Sequence, residues 1–301
     1  MMADFFLDLH REKLAPKTIQ GYRAAISHTY KAAGKWDVGK DQDLTSLIQN
    51  FFLQRPLSRP EQPDWDLAFV MHVLTEPPYE PLNLAKMEYL TLKTIFLVAL
   101  ASGKRRGELH ALLAAGAGLM GNAMVLKFSP DFYAKTYLPE SGTNVLDPLV
   151  IPSLKGILAP NMTEDMLLCP VRALRIYLDR TAKVREGRKK LFIAHKKGYK
   201  KEIAASTISR WICQVVAKAY EHASPLARKL YYPHPKAHQL RGIGGSWAAA
   251  NKVSLEEIMR ACSWKSPTTF TSYYLRDMTM MADNLCRLGP IVVAQNVIGK
   301  K

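Results

Sequence analysis

The sequence predicts a mainly α-helical protein with a small antiparallel β-sheet, and two observations support that prediction. Apolar residues recur at helical spacing along most of the chain, whereas residues 116–152 hold short apolar runs separated by Pro and Gly, a pattern typical of strands. A stretch with three prolines and no helical period, residues 54–66, separates a short first part from a longer second part. The chain has 301 residues, 48% of them hydrophobic, so it can bury a substantial core.

The first part is predicted to be a small helical module. FFLDLHREK, PKTIQGYRAAISHTYKAAG and LTSLIQNFFL each show a helical pattern, and Gly34 ends the second as a cap. We place the module at residues 1–55, a linker at 56–66 and a larger domain at 67–301.

The larger domain begins with a strong helical signal. KMEYLTLKTIFLVALAS predicts a buried helix that runs to Gly103, and a second helix is expected from Arg105 to Leu113. NAMVLKF and DPLVIP then predict a hairpin or a three-stranded sheet.

Helices resume in the last part of the chain. Pro170 fits the first position of a helix over VRALRIYLDRTAKV, and STISRWICQVVAKAYEHA follows as another. Ser254 and Glu257 form a capping box that opens the helix LEEIMRAC. The dipeptide at 266–267, Ser-Pro, can start a helix that carries two adjacent tyrosines, at 273 and 274.

Net charge, the length of apolar runs and cysteine spacing limit the classes of protein to which the chain could belong. A formal net charge of +16 indicates a polyanionic partner and favours nucleic acid, although an anionic membrane surface or plain solubility would also account for it. Apolar runs stay short of the ~18 residues of a membrane span, and the first residues do not resemble a secretory signal. The four cysteines, without Cys-x-x-Cys spacing, predict neither a zinc site nor a disulfide framework and fit a reducing intracellular compartment.

Two segments could bind an anion. His238 and Arg241 are three residues apart, so on a helix they would share one face and could grip a single anionic group. In the octet SGKRRGEL, Arg105 follows a glycine break, and Glu108 lies one turn on, where it could orient a basic partner. Each motif alone is as well explained by chance or by a surface charge cluster.

A third segment adds aromatic groups that could take part in chemistry. Trp264, Phe270, Tyr273 and Tyr274 could form an ordinary aromatic core stripe, or they could supply an indole donor and a phenolic nucleophile. Their order after two arginine motifs, in a strongly basic chain, favours chemistry on a phosphodiester.

These motifs resemble those of the tyrosine recombinases, in particular the type encoded by DIRS-like retrotransposons. That family has an arginine in a Thr/Ser-Gly-x-Arg-x-x-Glu-Leu segment, a later His-x-x-Arg, and a His or Trp about ten residues before the nucleophilic tyrosine; the matching positions here include Arg105, His238, Arg241 and Trp264. LALASGKRRGELHAL, WDLAFVMHVLTEPPYEPL and SWKSPTTFTSYYLRD resemble the DIRS-like type, and the likeness spans nearly the whole chain.

The resemblance implies a recombinase catalytic domain, preceded by a short helical core-binding module that clamps DNA. It implies cleavage and rejoining of DNA through a 3′-phosphotyrosyl intermediate, with no cofactor and no metal. Arg105 and Arg241 would hold the phosphate, His238 would take the proton of the tyrosine, and Trp264 would donate a hydrogen bond. Glu108 would support the first arginine.

Two assignments stay open between neighbouring candidates. The leaving oxygen needs a proton, which the family takes from a hairpin lysine; we favour Lys135 over Lys127, because the tip of the hairpin can reach the cleaved bond. The distance from Trp264 favours Tyr273 as the nucleophile, whereas the phrase Tyr-Leu-Arg-Asp favours Tyr274, which we choose.

The resemblance also implies the partners. We expect binding to double-stranded DNA and a homotetramer in the synaptic complex, with residues 278–297 packed on a neighbour. The basic run 183–190 could be a nuclear address or a DNA-facing charge run.

Two rival functions use the same fold. One is a DNA-binding protein impaired in catalysis, and the other is relaxation of supercoils in the manner of a type IB topoisomerase. The glycines in GIGG, directly after Arg241, depart from the family and should weaken a helix by about 1 kcal/mol each.

Overall fold

The computed structural model divides the chain into two compact units, Met1–Arg59 and Pro60–Lys301. It describes residues 2–56, 63–135, 147–154, 166–195, 198–221, 233–250, 252–264 and 266–275. The assignment of these units as a DNA clamp and a catalytic domain stays a prediction. No helix within the described ranges is long and apolar enough to cross a membrane.

The first unit contains α1 (Met2–Arg11), α2 (Pro16–Ala32) and α3 (Gln42–Gln54). Its core is formed by apolar side chains spaced at helical intervals, including Phe6, Ile19, Ile48 and Phe51. Asp41 caps α3, because its carboxylate accepts the Leu44 amide proton. The guanidinium of Arg23 donates to the carbonyls of Val38, Gly39 and Asp41, which fixes the loop between α2 and α3.

The second unit begins with α4 (Leu67–Val73), α5 (Met87–Ser102) and α6 (Arg106–Ala111). Helix α5 is buried on nearly all sides, as its almost continuous apolar sequence requires. It ends at Gly103, whose left-handed backbone (φ 57°) allows the sharp exit into α6. Helix α4 has seven residues and was not predicted.

A small sheet follows α6, as predicted. Strands β1 (Gly118–Met120), β2 (Ala123–Leu126) and β3 (Leu149–Pro152) pair antiparallel in the order β1-β2-β3. Met124 pairs with Leu119 on one side and Ile151 on the other, and the buried face packs into the main core. A mainly helical architecture with one small antiparallel sheet confirms the predicted fold class.

The remaining helices are α7 (Pro170–Thr181), α8 (Ala205–Glu221), α9 (Gln239–Ala250), α10 (Leu255–Ala261) and α11 (Pro267–Tyr273). Helix α5 packs against α7 and α8 and also contacts α9. The predicted starts are confirmed: Pro170 and Pro267 lie in the first turns of α7 and α11, and Ser254 and Glu257 form the capping box of α10.

A buried ion cluster fixes the turn between α4 and α5. The Glu80 carboxylate accepts from both terminal nitrogens of Arg172 and from the ammonium of Lys93, whose side chain is fully buried. Lys93 also donates to the carbonyl of Leu74 at 2.6 Å. The cluster therefore links α5 and α7 to the chain segment before α5.

One expectation about the last helices is wrong, and another stays a prediction. Tyr274 does not lie inside α11; it is the residue that ends it, with φ −126° and ψ −29°. Helix α9 runs unbroken through Gly242, Gly244 and Gly245; Gly244 lies against Leu100 of α5, and Gly245 lies against the rings of Trp264 and Phe270. At Gly245 the intrinsic cost of glycine in a helix is offset by close packing that a larger residue would prevent.

Candidate active site

Arg241 joins three separate segments of the second unit. Its side chain is almost completely buried, 3% exposed, on the first turn of α9. One terminal nitrogen donates to the Gly103 carbonyl at 2.6 Å, and the other donates to the Cys262 carbonyl. The guanidinium therefore connects the end of α5, the start of α9 and the turn after α10.

Glu108 supplies the negative charge next to this arginine. Its carboxylate lies 3.8 Å from Arg241 and accepts from the Arg105 amide at 2.7 Å and from the Arg105 guanidinium at 3.1 Å. Glu108 is buried, whereas the Arg105 side chain is 25% exposed. One carboxylate thus orients two arginines and leaves one side of Arg105 open to solvent.

An aromatic cluster covers the other side of Arg241. The guanidinium carbon lies 4.6 Å from the ring centroid of Trp264 and 5.6 Å from that of Tyr274. Trp264 in turn contacts Phe270, at 5.0 Å between centroids, and Tyr274, at 4.8 Å. The Tyr274 carbonyl accepts from the Ser246 hydroxyl at 3.0 Å, which fixes the end of α11 to α9.

Two nitrogens in this cluster are buried without a hydrogen-bond partner among the described residues. They are Nε of Arg241 and Nε1 of Trp264. A buried donor left unpaired costs about 1–3 kcal/mol, so such groups are usually satisfied by a water or a ligand. These two buried donors, one of them cationic, are candidates to bind an anion.

Glycine makes this close arrangement possible. A Cβ atom on Gly245 would lie 3.0 Å from the Trp264 ring and 3.1 Å from the Phe270 ring. A Cβ atom on Gly103 would lie 2.7 Å from the Cys262 sulfur. Side chains at these two positions would separate the segments that Arg241 joins.

Three of the other predicted residues, His238, Lys127 and Lys135, are exposed. His238 is exposed and lies one residue before α9, whereas Arg241 is buried in the first turn of that helix. Its carbonyl accepts the Gly242 amide proton at 3.4 Å. Lys135 and Lys127 are both exposed, Lys127 just after β2 and Lys135 at the edge of residues 136–146, which lie outside the described ranges. Tyr273 ends α11, and its side chain lies outside the description, as do residues 278–297.

Solved structures similar to this chain were found. A crystal structure of XerA recombinase has a TM-score of 0.44 and 16% identity, over 92% of this chain and 85% of that one. A lambda integrase dimer bound to a COC′ core site has a TM-score of 0.48 and 14% identity, over 94% of this chain and 66% of that one. A lambda integrase tetramer bound to a Holliday junction has a TM-score of 0.38 and 15% identity, over 90% and 68%. No protein-family model and no curated protein matches the sequence.

Sequence reasoning missed the role of the turn 262–264. Cys262 offers its carbonyl to Arg241, and burial raises the pKa of its thiol to about 11, so the thiol is protonated near neutral pH. Ser263 has a left-handed backbone (φ 52°), and its hydroxyl accepts a hydrogen bond from Lys104 at 2.7 Å. The lysine in SGKRRGEL was the one sequence signal that could have pointed to this turn, because it lies beside Arg105 and contacts Ser263.

Possible metal ligands are sparse near the cluster. Within the described ranges, no three His, Cys, Asp or Glu side chains gather in a way that could hold a metal ion. The positive charge next to Tyr274 comes from the guanidinium of Arg241.

Proposed function

We propose that this protein cleaves and rejoins DNA strands through a 3′-phosphotyrosyl intermediate, as an enzyme similar to tyrosine recombinases. One observation carries the proposal: the phenol-bearing ring of Tyr274 lies beside a buried arginine and an indole, and each of these two groups has one nitrogen without a partner among the described residues. A scissile phosphate would satisfy both donors and would lie next to a tyrosine.

Phosphate binding is assigned to the arginines and the tryptophan. Attack on phosphorus places negative charge on the non-bridging oxygens, and fixed donors aimed at that charge lower the barrier. Nε of Arg241 and Nε1 of Trp264 are prepared for this role, and Arg105 brings a second guanidinium held by Glu108. Since the donors are already fixed by backbone carbonyls and packing, little reorganisation is needed when phosphate binds.

Proton transfer is assigned to His238 and to a lysine. A phenol with a reference pKa near ~10 is almost fully protonated at neutral pH, so Tyr274 must lose its proton as it attacks. His238 is exposed one turn before Arg241, where an incoming substrate can meet it. The oxygen that leaves on the 5′ side must gain a proton, and the sequence resemblance assigns that step to Lys135 or, failing that, to Lys127.

The biological setting rests on the sequence resemblance. We propose site-specific recombination of a mobile element, in the nucleus, by a homotetramer that joins two DNA duplexes. The net charge of +16 supports a DNA partner, because phosphate contacts release counterions.

A covalent adduct on a suicide substrate tests the proposal. A nicked duplex that carries the terminal repeats of the encoding element, labelled at the 5′ end of the cleaved strand, should give an adduct that survives denaturation. Tyr274→Phe should abolish the adduct and Tyr273→Phe should keep it. If Tyr273→Phe alone abolishes it, the nucleophile is misassigned.

A second function is favoured by the contacts of Arg241. Both of its terminal nitrogens donate to backbone carbonyls, which leaves Nε for a phosphate. A protein that kept the fold and binds DNA without cutting it would show this arrangement too. Binding of the duplex with no adduct from the wild-type protein would select that function.

A further inference from the structure

Helix α10 ends in a turn with a serine where glycine is the usual residue. The Trp264 amide donates to the Met259 carbonyl at 2.8 Å, and the Ser263 amide donates to the Arg260 carbonyl at 3.1 Å. This pair of bonds is the Schellman motif, in which the residue with the left-handed backbone is most often glycine. Here that residue is Ser263, with φ 52°. A left-handed backbone disfavours any side chain, so the serine hydroxyl is expected to have a use that offsets this cost.

The Ser263 hydroxyl has a partner from a distant part of the chain. It accepts from the ammonium of Lys104 at 2.7 Å, and Lys104 belongs to the junction between α5 and α6. Burial, the largest effect, holds the pKa of this ammonium below its ordinary value of 10.5. The ammonium is therefore largely removed from water where it meets the turn, unlike a lysine that touches a neighbour at the surface.

Arg241 joins the same two segments one residue earlier in each. Its terminal nitrogens donate to the carbonyls of Gly103 and Cys262. The bond between Lys104 and Ser263 is thus a second link between the junction and the turn. With one link the turn could rotate about the guanidinium, whereas two links at neighbouring positions fix its orientation.

The orientation of the turn determines where the Trp264 indole lies. Trp264 directly follows Ser263, and its Nε1 is buried without a partner among the described residues. Arg105 directly follows Lys104, and its guanidinium is held by Glu108. The second link therefore ties the backbone of the indole donor to the backbone of the first arginine.

We propose that Lys104 and Ser263 are positioning residues for strand cleavage, because their bond fixes the Trp264 indole relative to Arg105 so that both donors meet one phosphate. This inference rests on the proposed function. Neither residue exchanges a proton or bonds to the substrate, and the proton transfers proposed above are unaffected. Their contribution is to geometry, where a small displacement of a donor slows the reaction.

A double-mutant cycle tests whether the two residues act through their bond. Ser263→Ala removes the hydroxyl, Lys104→Met removes the ammonium, and the rate of adduct formation is measured with a saturating amount of the suicide duplex. We expect each single variant to be slowed roughly tenfold or more. The double variant should be within about twofold of the slower single variant, because its second change removes a bond that is already lost.

Ser263→Gly separates positioning from stability. Glycine accepts the left-handed backbone without strain, so this variant should unfold at a higher temperature than Ser263→Ala. It also lacks the hydroxyl, so its adduct rate should be as low as that of Ser263→Ala. A residue that served only the fold would regain its rate together with its stability.

Lys252→Gly is the matched control. Lys252 is exposed, has φ 64° and lies in a turn with the same pair of bonds, from the Val253 amide to the Ala248 carbonyl and from its own amide to the Ala249 carbonyl. Glycine should relieve the backbone there too and raise the unfolding temperature. With saturating duplex, its adduct rate should stay within about twofold of the wild type.

Indole NMR measures the position of Trp264 without any cleavage. The chain has five tryptophans, so labelling of tryptophan alone gives at most one indole signal from each, and Trp264→Phe identifies the signal of Trp264. Lys104→Met, a change far away in sequence, should shift or broaden that signal. Lys252→Gly should leave it unchanged.

The opposite results reject the proposal. A double variant slowed by the product of the two single effects shows that Lys104 and Ser263 act independently. Recovery of the rate in Ser263→Gly reduces the hydroxyl to a contact that supports the fold, and an unchanged indole signal in Lys104→Met shows that Trp264 is not positioned by this link. If the wild type forms no adduct, the proposed function fails, and the indole signal still decides whether Lys104 positions Trp264.

Discussion

The guanidinium of Arg241 lies over the indole of Trp264, 4.6 Å from the ring centroid, and each group keeps one buried nitrogen without a partner among the described residues. The two nitrogens belong to segments 23 positions apart, on α9 and on the turn before α11. Their contact makes one donor surface out of two side chains, so a change in either residue should affect the other.

Arg241→Lys should lower formation of the covalent adduct about a hundredfold or more, because the single nitrogen of an ammonium cannot span the two carbonyls that the two terminal nitrogens of Arg241 reach and also present a third donor in a fixed direction. Gel analysis of the adduct on the suicide duplex measures the effect. Arg260→Lys is the matched control, since the Arg260 side chain is 76% exposed and its guanidinium lies 3.9 Å from the Glu256 carboxylate. Equal adduct formation by the two variants would show that Arg241 does not bind the phosphate.

Glu108→Gln should destabilise the second unit by about 3 kcal/mol, because it leaves the buried Arg241 and the partly exposed Arg105 without their carboxylate. Urea unfolding measures the free energy, and Glu256→Gln, at an 89% exposed side chain, is the control with little expected change. A Glu108→Gln protein as stable as the wild type would show that the carboxylate does not balance these charges.

Gly245→Ala should destabilise the protein and weaken adduct formation, although alanine is the better helix former. The added Cβ would lie 3.0 Å from the Trp264 ring, and that ring is held by Phe270 and Tyr274. Gly21→Ala is the opposite case: Gly21 lies in α2, and an added methyl group there would have no atom within 4 Å, so the change should stabilise its unit by about 0.5–1 kcal/mol. Thermal unfolding of both variants should show shifts of opposite sign.

Acid should weaken the fold through Glu80. Burial alone would raise the pKa of this carboxyl, but hydrogen bonds from Arg172 and Lys93 outweigh burial and hold the pKa below its ordinary value of 4.5. The stabilisation is therefore complete above pH 4.5 and is lost as the pH falls through the lower folded-state pKa. Compared with the wild type, Glu80→Gln should be less stable at pH 7 and should lose less stability as the pH falls below about 5. Circular dichroism measures both effects. An unchanged acid slope in the variant would exclude Glu80 as the group responsible.

Local signals in the sequence predicted the elements that depend on neighbouring residues. Gly103 after an apolar run, the capping box at Ser254 and Glu257, and Pro267 after Ser266 each act within one helical turn, and each has the expected role. Helix α4 escaped prediction because it is too short to show a helical period and begins directly after the proline-rich linker, without the capping box or the Ser-Pro start that marks the equally short α10 and α11.

Contacts between distant segments could not be predicted in the same way. The carbonyls that hold Arg241 are 138 and 21 positions away, and nothing in their residue types marks them as acceptors. The glycines after Arg241 predicted a weak helix because propensity counts only the backbone cost, whereas their use is the approach of Trp264 and Leu100. The burial of Arg241 and the exposure of His238, three residues apart, likewise follow from where α9 begins.

The bonds from Arg241 to Gly103 and Cys262 also determine when this cluster can form during synthesis of the chain. A ribosome has made Gly103 and the first arginine motif long before it reaches residue 262, yet the cluster needs all three segments at once. A half-synthesised chain that ends before residue 262 therefore lacks the cluster, and its assembly is a late event in the folding of the second unit.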